Sequence, residues 1–270
     1  FKLLKKAKLI TWVQDLWPNV LKDTGIVKNL FLLNIIKILV KNIYNSNDLL
    51  LAQSASFKKD INKISKTKVN ILHNPGYSEK KISMSKFTKK INILYAGNLG
   101  NAQPWENLLK FLKTKKLENL NFIICGEGQK YLYIKNYIKK NKINNISLHG
   151  FLKDKKLEKQ YSKSNYFLVM LKSGTDLNKT IPSKFQTYLY HSKPILALND
   201  GEVYKLVKKF NLGFASKPDN LNEYEKIFKK MQKIKRSQYS KMSRNVKKFY
   251  KKNFSQKIIN EKLINEINKI

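Results

Sequence analysis

The sequence predicts an α/β protein built from two parallel-sheet lobes. Short apolar runs alternate with longer helical patterns along most of its length, as strands buried under helices require. Glycine turns follow several of those runs. The chain has 270 residues, enough for two compact units, each with its own core.

In the first part, 8–13 reads as a strand, 29–44 as a helix, 48–53 as a strand, 54–64 as a helix and 69–72 as a strand. Asn74-Pro75-Gly76 is turn chemistry, and periodicity is lost over the lysine-rich stretch that follows. The expected division is therefore 1–75 as a first lobe and 76–90 as a linker. The second lobe opens with a strand at 91–96, then a helix at 104–113, a strand at 121–125 and a helix at 130–140. Strands at 146–148, 166–171 and 194–197 alternate with helices near 155–162, from Pro182 and at 202–209. After Gly213 the pattern reads as mostly helical to Ile270.

With 55 Lys+Arg against 18 Asp+Glu, the formal net charge is +37. The basic residues are almost all lysine and are spread end to end, without the clustered arginines or stacking aromatics of an RNA-binding surface. No nucleic-acid partner is expected; an anionic membrane surface or a phosphorylated ligand fits better. Cys125 stands alone in an apolar run, so no internal disulfide forms and a reducing cytoplasm suits the chain. Residues 30–40 are apolar but are interrupted by Asn34 and Lys37 and are too short to span a bilayer; they read as a helix on a sheet or on a bilayer surface. The chain begins at Phe1 within what reads as an α/β pattern, which suggests a fragment lacking its N-terminal part.

The richest segment is 180–197, TIPSKFQTYLYHSKPILA. Pro182 suits a first helical position, and Ser183 and Lys184 follow among unpaired N–H groups at the positive end of the helix dipole. That arrangement seats an anion such as a diphosphate, and a lysine there is disfavoured unless something negative lies nearby. The alternative is a solvated lysine. Gly97-Asn98-Leu99-Gly100, before Gln103, and Gly126-Glu127-Gly128 are strand-to-helix turns. Such turns either bring backbone N–H groups to a ligand or are structural only. Position 131 is Tyr131, so a full dinucleotide fingerprint is absent. Asp15 ends the first strand between Gln14 and Leu16-Trp17-Pro18, as either a site acid or a turn aspartate. Gln14 could bond a sugar hydroxyl, and Trp17 could stack on a sugar ring. His73, His149 and His191 show no metal spacing, and neither metal nor cofactor is expected.

Together Asp15–Pro18, Tyr95–Gln103, and Pro182-Ser183-Lys184 with Tyr188 and Lys193-Pro194 resemble the retaining GT-B glycosyltransferases of family 4. The likeness is to the branch that builds bacterial O-antigen and capsule sugars, including lipopolysaccharide. The resemblance implies two Rossmann-like domains with a cleft between them, the first of them truncated. It implies residues 91–252 as the nucleotide-sugar-binding domain and 253–270 as a helix returning to the first domain. The implied reaction transfers a sugar from a nucleotide diphosphate, with UDP the expected nucleotide, to a lipid-linked or polysaccharide acceptor. It would run in the cytoplasm, peripheral to the membrane. Donor contacts would come from Gly97, Asn98, Gly100, Gln103, Gly126, Gly128, Thr180, Ile181, Pro182, Ser183, Lys184, Thr187 and Glu202. Acceptor contacts would come from Gln14, Asp15 and Trp17, with Asp15 and Lys184 as the catalytic pair.

The chain departs from the family pattern where a paired glutamate falls on Lys179 and Thr187; Glu202 could supply a carboxylate instead. Asn98 and Gln103 replace a loop arginine and lysine, and Ser192 stands where glycine usually closes the helix. Two other readings share the fold: a catalytically inactive nucleotide-sugar-binding scaffold, and a nucleotide-sugar 2-epimerase.

Overall fold

The computed structural model describes residues 7–23, 25–76, 90–115, 117 and 119–270. The predicted linker therefore lies, apart from its two end residues, outside the described residues. Two parallel sheets form the frame. The first runs in the order β1 (Ile10–Val13), β2 (Leu49–Ala52), β3 (Val69–Ile71), with Ile10 opposite Leu49 and Leu50 opposite Val69. Every residue of β2 is buried, as a central strand covered on both faces must be.

Between β1 and β2 lie α1 (Asn19–Asp23) and α2 (Leu30–Asn45), and α3 (Ala55–Ile64) joins β2 to β3. The Asn29 side chain caps α2 by accepting from the N–H groups of Phe31 and Leu32. Ser54 caps α3 in the same way, accepting from Phe57 N–H at 3.0 Å. Phe57 and Ile61 then point into the core beside Val13, Leu50 and Tyr44. Each such burial contributes about 1.5–3 kcal/mol.

The second sheet has six strands in the order β6-β5-β4-β7-β8-β9. In chain order it is built from β4 (Ile91–Ala96), α4 (Trp105–Thr114), β5 (Leu120–Cys125), α5 (Tyr131–Lys140), β6 (Ile146–His149) and α6 (Asp154–Lys163). It continues with β7 (Tyr166–Met170), a 3-10 turn (Asp176–Lys179), α7 (Ser183–Tyr190), β8 (Ile195–Leu198), α8 (Glu202–Lys209) and β9 (Gly213–Ser216). On one face Trp105, Leu109 and Ile134 pack with Phe228 of α9 (Leu221–Gln232). On the other, Tyr161, Phe185, Tyr188 and Val203 pack with Val246 of α10 (Arg236–Asn253).

The chain winds outward from β4 through β5 to β6, then returns to the far side of β4 as β7. That reversal opens a crevice at the carboxyl ends of β4 and β7, where open α/β sheets bind their ligands.

Several details differ from the sequence reading. Gly213–Ser216 is a sixth strand rather than the start of a helical tail, because β8 supplies a ladder partner with Ile195 opposite Gly213. The turn of helix in α1 and the 3-10 turn are additional. Pro182 is the flanking cap residue, with ψ 143°, and the helix proper starts at Ser183.

The last helix, α11 (Gln256–Ile267), lies against the first sheet, where Ile259 is buried with Leu49, Leu51 and Leu72. Its approach is fixed by Gly76 N–H donating to Phe254 O at 2.8 Å, and by His73 stacked on Phe254 at 4.7 Å. Among the described residues no helix is long and apolar enough to cross a membrane.

Candidate active site

Tyr95, on the last turn-ward positions of β4, organises the crevice. It is fully buried, and its hydroxyl donates to Asn98 O at 2.7 Å, folding the following turn back on the strand. The Lys184 ammonium donates to the same hydroxyl at 2.6 Å and lies 3.9 Å from the ring centroid. Helix α7 is held there by Tyr188, whose hydroxyl accepts from Ala96 N–H at 2.8 Å and donates to Ala96 O at 3.2 Å. Gly97 has φ 141°, and a Cβ on it would stand 3.0 Å from Lys184 Nζ. The glycine thus makes room for the lysine as well as for the turn. Burial pushes the Lys184 ammonium down to about 7, and among the described residues no carboxylate restores it.

The two glycine turns pack on each other. A Cβ at Gly126 would stand 2.0 Å from Gly97 O, and one at Gly128 would stand 2.4 Å from Asn98 Oδ1. Backbone bonds reinforce the contact: Leu99 N–H donates to Glu127 O at 2.8 Å and Lys130 N–H to Leu99 O at 2.8 Å. The absent side chains at 126 and 128 are thereby explained by turn-on-turn packing. Gln103 is buried and turned inward, its Oε1 accepting from Gly100 N–H at 2.9 Å. It shapes the loop.

Beside these turns lies a cavity of about 420 Å³ at the carboxyl ends of β4 and β5. Gly97, Asn98, Gly126, Glu127, Phe151 and Tyr161 line it. Sequence reasoning missed Phe151 and Tyr161; the signal available was Gly150, a third glycine directly after a strand. A larger groove of about 740 Å³ between α9 and α10, walled by Lys229, Lys233 and Lys241, lies away from the strand ends, so size alone does not locate the site.

Residues 176–181 run along a seam with the first lobe. Gln53 Oε1 accepts from Ile181 N–H at 3.4 Å, and Ser54 Oγ donates to Lys179 O at 2.7 Å. Lys179 pairs with Asp60 at 2.6 Å, and the two flanking ammonium groups hold the Asp60 carboxyl below its usual range despite burial. Thr180 Oγ1 donates to Leu177 O at 2.7 Å, and the Ile181 side chain is buried. Ile181 N–H is thus engaged across the seam, while Thr180 N–H bonds within its own turn to Leu177 O at 3.1 Å.

Glu202, buried at the start of α8, accepts from Ser56 of α3 and pairs with Lys205 at 3.5 Å. It borders the seam recess of about 350 Å³ lined by Ser56, Thr175, Asp200 and Lys205. Thr187 is half-buried on α7, one turn beyond Ser183.

In the first lobe, β1 ends at Val13 and Asp15 lies exposed in the turn after it, facing Asp176 and Thr180 across a narrow recess. Gln14 Oε1 accepts from Asn74 Nδ2 at 2.7 Å, and Trp17 is 47% exposed. The structure thus brings Gly97, Asn98, Gly126 and Lys184 together, and sets Asp15 against Thr180. Glu202 stands apart with Ser56. Among the described residues no group of three His, Cys, Asp or Glu is placed to hold a metal ion.

Comparison with known proteins agrees with this fold. A family model described as glycosyl transferases group 1 matches residues 77–249, well over half of the chain, and the protein belongs to that family. The chain is similar to HepE of Anabaena, solved with UDP and glucose, with TM-score 0.72 at 13% identity over 100% of this chain and 73% of that one. It is also similar to sucrose-phosphate synthase of Thermosynechococcus elongatus, with TM-score 0.75 at 13% identity over 99% of this chain and 69% of that one. At these identities the likeness is one of fold, the two-lobed GT-B architecture. A curated relative, UDP-N-acetylenolpyruvoylglucosamine reductase of Buchnera aphidicola, is 30% identical over 112 residues. That stretch is 40% of this chain and only 30% of the reductase's length, too little to carry the reductase's chemistry across.

Proposed function

We propose that this group 1 glycosyl transferase moves a sugar from a nucleotide-diphosphate donor, UDP-linked, to a lipid-linked or polysaccharide acceptor of a cell-surface glycan, with the anomeric configuration retained. One observation carries the reading: a largely buried ammonium, Lys184, is held at the crevice of the second sheet with no carboxylate beside it among the described residues. An uncompensated buried cation is unfavourable until an anion arrives, and a leaving diphosphate is such an anion. The first turn of α7, which has no side-chain cap, adds N–H groups and the positive end of a dipole.

In this reading the nucleoside occupies the cavity beside Asn98, Gly126 and Gly128, and the diphosphate meets Gly97, Pro182, Ser183 and Lys184. Gly100 and Gln103 shape the loop. Thr187 and Glu202 flank the ribose and the seam. Gln14, Asp15 and Trp17 take the acceptor, with Asp15 reaching the reacting centre from across the cleft. Residues 1–75 serve the acceptor, 91–252 hold the donor, and 253–270 tie the two together. The work is done in the cytoplasm at the inner face of the membrane. HepE, solved with UDP and glucose on the same fold, supports the choice of donor.

Calorimetry with UDP tests the lysine: Lys184→Ala removes a charge-assisted contact worth about 1.5–3 kcal/mol, so affinity falls roughly tenfold or more. Unchanged affinity would remove Lys184 from the diphosphate site. A thermal-shift panel of UDP-, GDP- and dTDP-sugars identifies the base, since only the folded chain binds it.

A second reading, a nucleotide-sugar-binding protein without turnover, is favoured by Thr187 standing where the family carries a carboxylate. Transfer of radiolabelled sugar to acceptor separates the two, and a product formed without acceptor would indicate epimerisation instead.

A further inference from the structure

Helix α2 is apolar on two opposite faces, and the sheet covers only one of them. Leu33, Val40 and Tyr44 are buried with the core of the first lobe. On the other side Phe31 is 74% exposed, Ile38 61%, Leu39 54% and Ile43 55%, with Ile35 between them. At about 100° per residue these five side chains, with Leu32, fall in one broad arc opposite the buried trio, and Asn42 is the one polar residue inside it. Leu30, at 68%, lies on the polar flank between Lys37 and Lys41. Single exposed apolar residues are ordinary, whereas a contiguous patch on one helix marks an interaction surface.

Charge selects the partner. The helix sequence LFLLNIIKILVKNIYN contains no acidic residue. Its polar strip of Asn34, Lys37, Lys41 and Asn45 runs along the flank between the buried and exposed faces, and Lys28 precedes the cap. Lysines on the flank of an apolar face can lay their stems along it and raise their ammonium groups to headgroup phosphates. A second copy of a chain carrying +37 is repelled, whereas an anionic bilayer attracts it. The helix has 16 residues, roughly 24 Å, and so lies in the interface rather than across it.

We propose that the outer face of α2 docks this protein on anionic lipid, with Phe31, Ile35, Ile38, Leu39 and Ile43 in the headgroup–acyl boundary and Lys28, Lys37 and Lys41 on the phosphates. The purpose of the docking rests on the lipid-linked acceptor proposed above. Because β1 and β2 are parallel, α2 starts at the carboxyl edge of that sheet, the edge that also carries the turn with Gln14, Asp15 and Trp17. Seating α2 on lipid therefore brings the acceptor side of the cleft to the membrane.

Cosedimentation of the whole chain with vesicles of phosphatidylcholine, alone or enriched in phosphatidylglycerol, tests this, with UDP calorimetry run on every variant. The expected result is binding to the anionic vesicles that weakens at least about tenfold in Phe31→Ser/Ile38→Ser and falls several-fold in Lys37→Gln/Lys41→Gln. UDP affinity stays at the wild-type value in both, which also shows that the variants fold. Absence of wild-type binding to anionic vesicles would overturn the proposal, and so would vesicle binding indifferent to Phe31→Ser/Ile38→Ser. A dimer in sedimentation equilibrium that those two substitutions abolish would assign the face to a second copy. Loss of vesicle binding leaves the donor reading standing if UDP still binds, and loss of UDP binding alone leaves the docking face standing.

Discussion

Lys184 combines two unfavourable settings, the first turn of a helix and a largely buried position over an aromatic ring. Its ammonium is pushed down to about 7 from a usual value above 10, so the folded state binds fewer protons than the unfolded one between those limits. The cost of burying the charge is therefore present at and below neutral pH and is relieved as pH rises. We expect Lys184→Met to raise the melting temperature of the ligand-free protein near pH 7 by a few degrees, in line with about 1 kcal/mol, while weakening UDP binding. A melting temperature that falls instead would show that the ammonium is already compensated. With the diphosphate on the charged form, as proposed, UDP affinity should be highest below pH 7 and decline above it, approaching tenfold per pH unit, in calorimetry from pH 6 to 9. Tyr95→Phe removes the hydroxyl that accepts from the ammonium, so the onset of that decline moves to lower pH. The Pro-Ser-Lys signal was legible in the sequence. Its contact with Tyr95 was not, because the two meet across 89 residues and only the packing of α7 on β4 joins them.

The strand-to-helix turns are better understood as a stacked pair than as separate ligand loops. Gly126→Ala would drive a methyl into Gly97 O, and at φ 143° the residue also favours glycine. We expect a loss of about 1–3 kcal/mol in chemical denaturation together with loss of UDP binding, since both turns must shift. Lys193 does comparable work for α6. Its buried ammonium donates to the carbonyls of Tyr161 at 2.5 Å, Ser162 at 3.0 Å and Ser164 at 2.5 Å, closing the end of a helix that lines the cavity. Lys193→Met leaves those acceptors without a donor and should cost about 2–4 kcal/mol in the same experiment. The strands and helices around these turns were readable from apolar runs and glycine punctuation. Strand β9 was not, because Gly213–Ser216 has little strand character of its own and forms against β8.

At the scale of the whole chain, two features dominate: the seam between the sheets and the charge. Gln53, Ser54 and Ser56 at the start of α3 meet Ile181, Lys179 and Glu202, while α11 closes the opposite side of the first sheet. The sequence implied two lobes from its alternating pattern, but the seam rests on single polar side chains with no periodic signature. A net charge of +37 repels itself, so added salt should raise the melting temperature up to about 0.3 M through screening; a melting temperature that falls steadily with salt would mean that ion pairs such as Lys179–Asp60 outweigh the repulsion. The most direct measurement is a crystal structure of the protein with UDP bound. The account predicts the nucleoside in the cavity beside Asn98 and Gly126, with Lys184 Nζ drawn from Tyr95 to within about 3 Å of a phosphate oxygen. Lys184 still seated on Tyr95, with the diphosphate bound elsewhere, would contradict it.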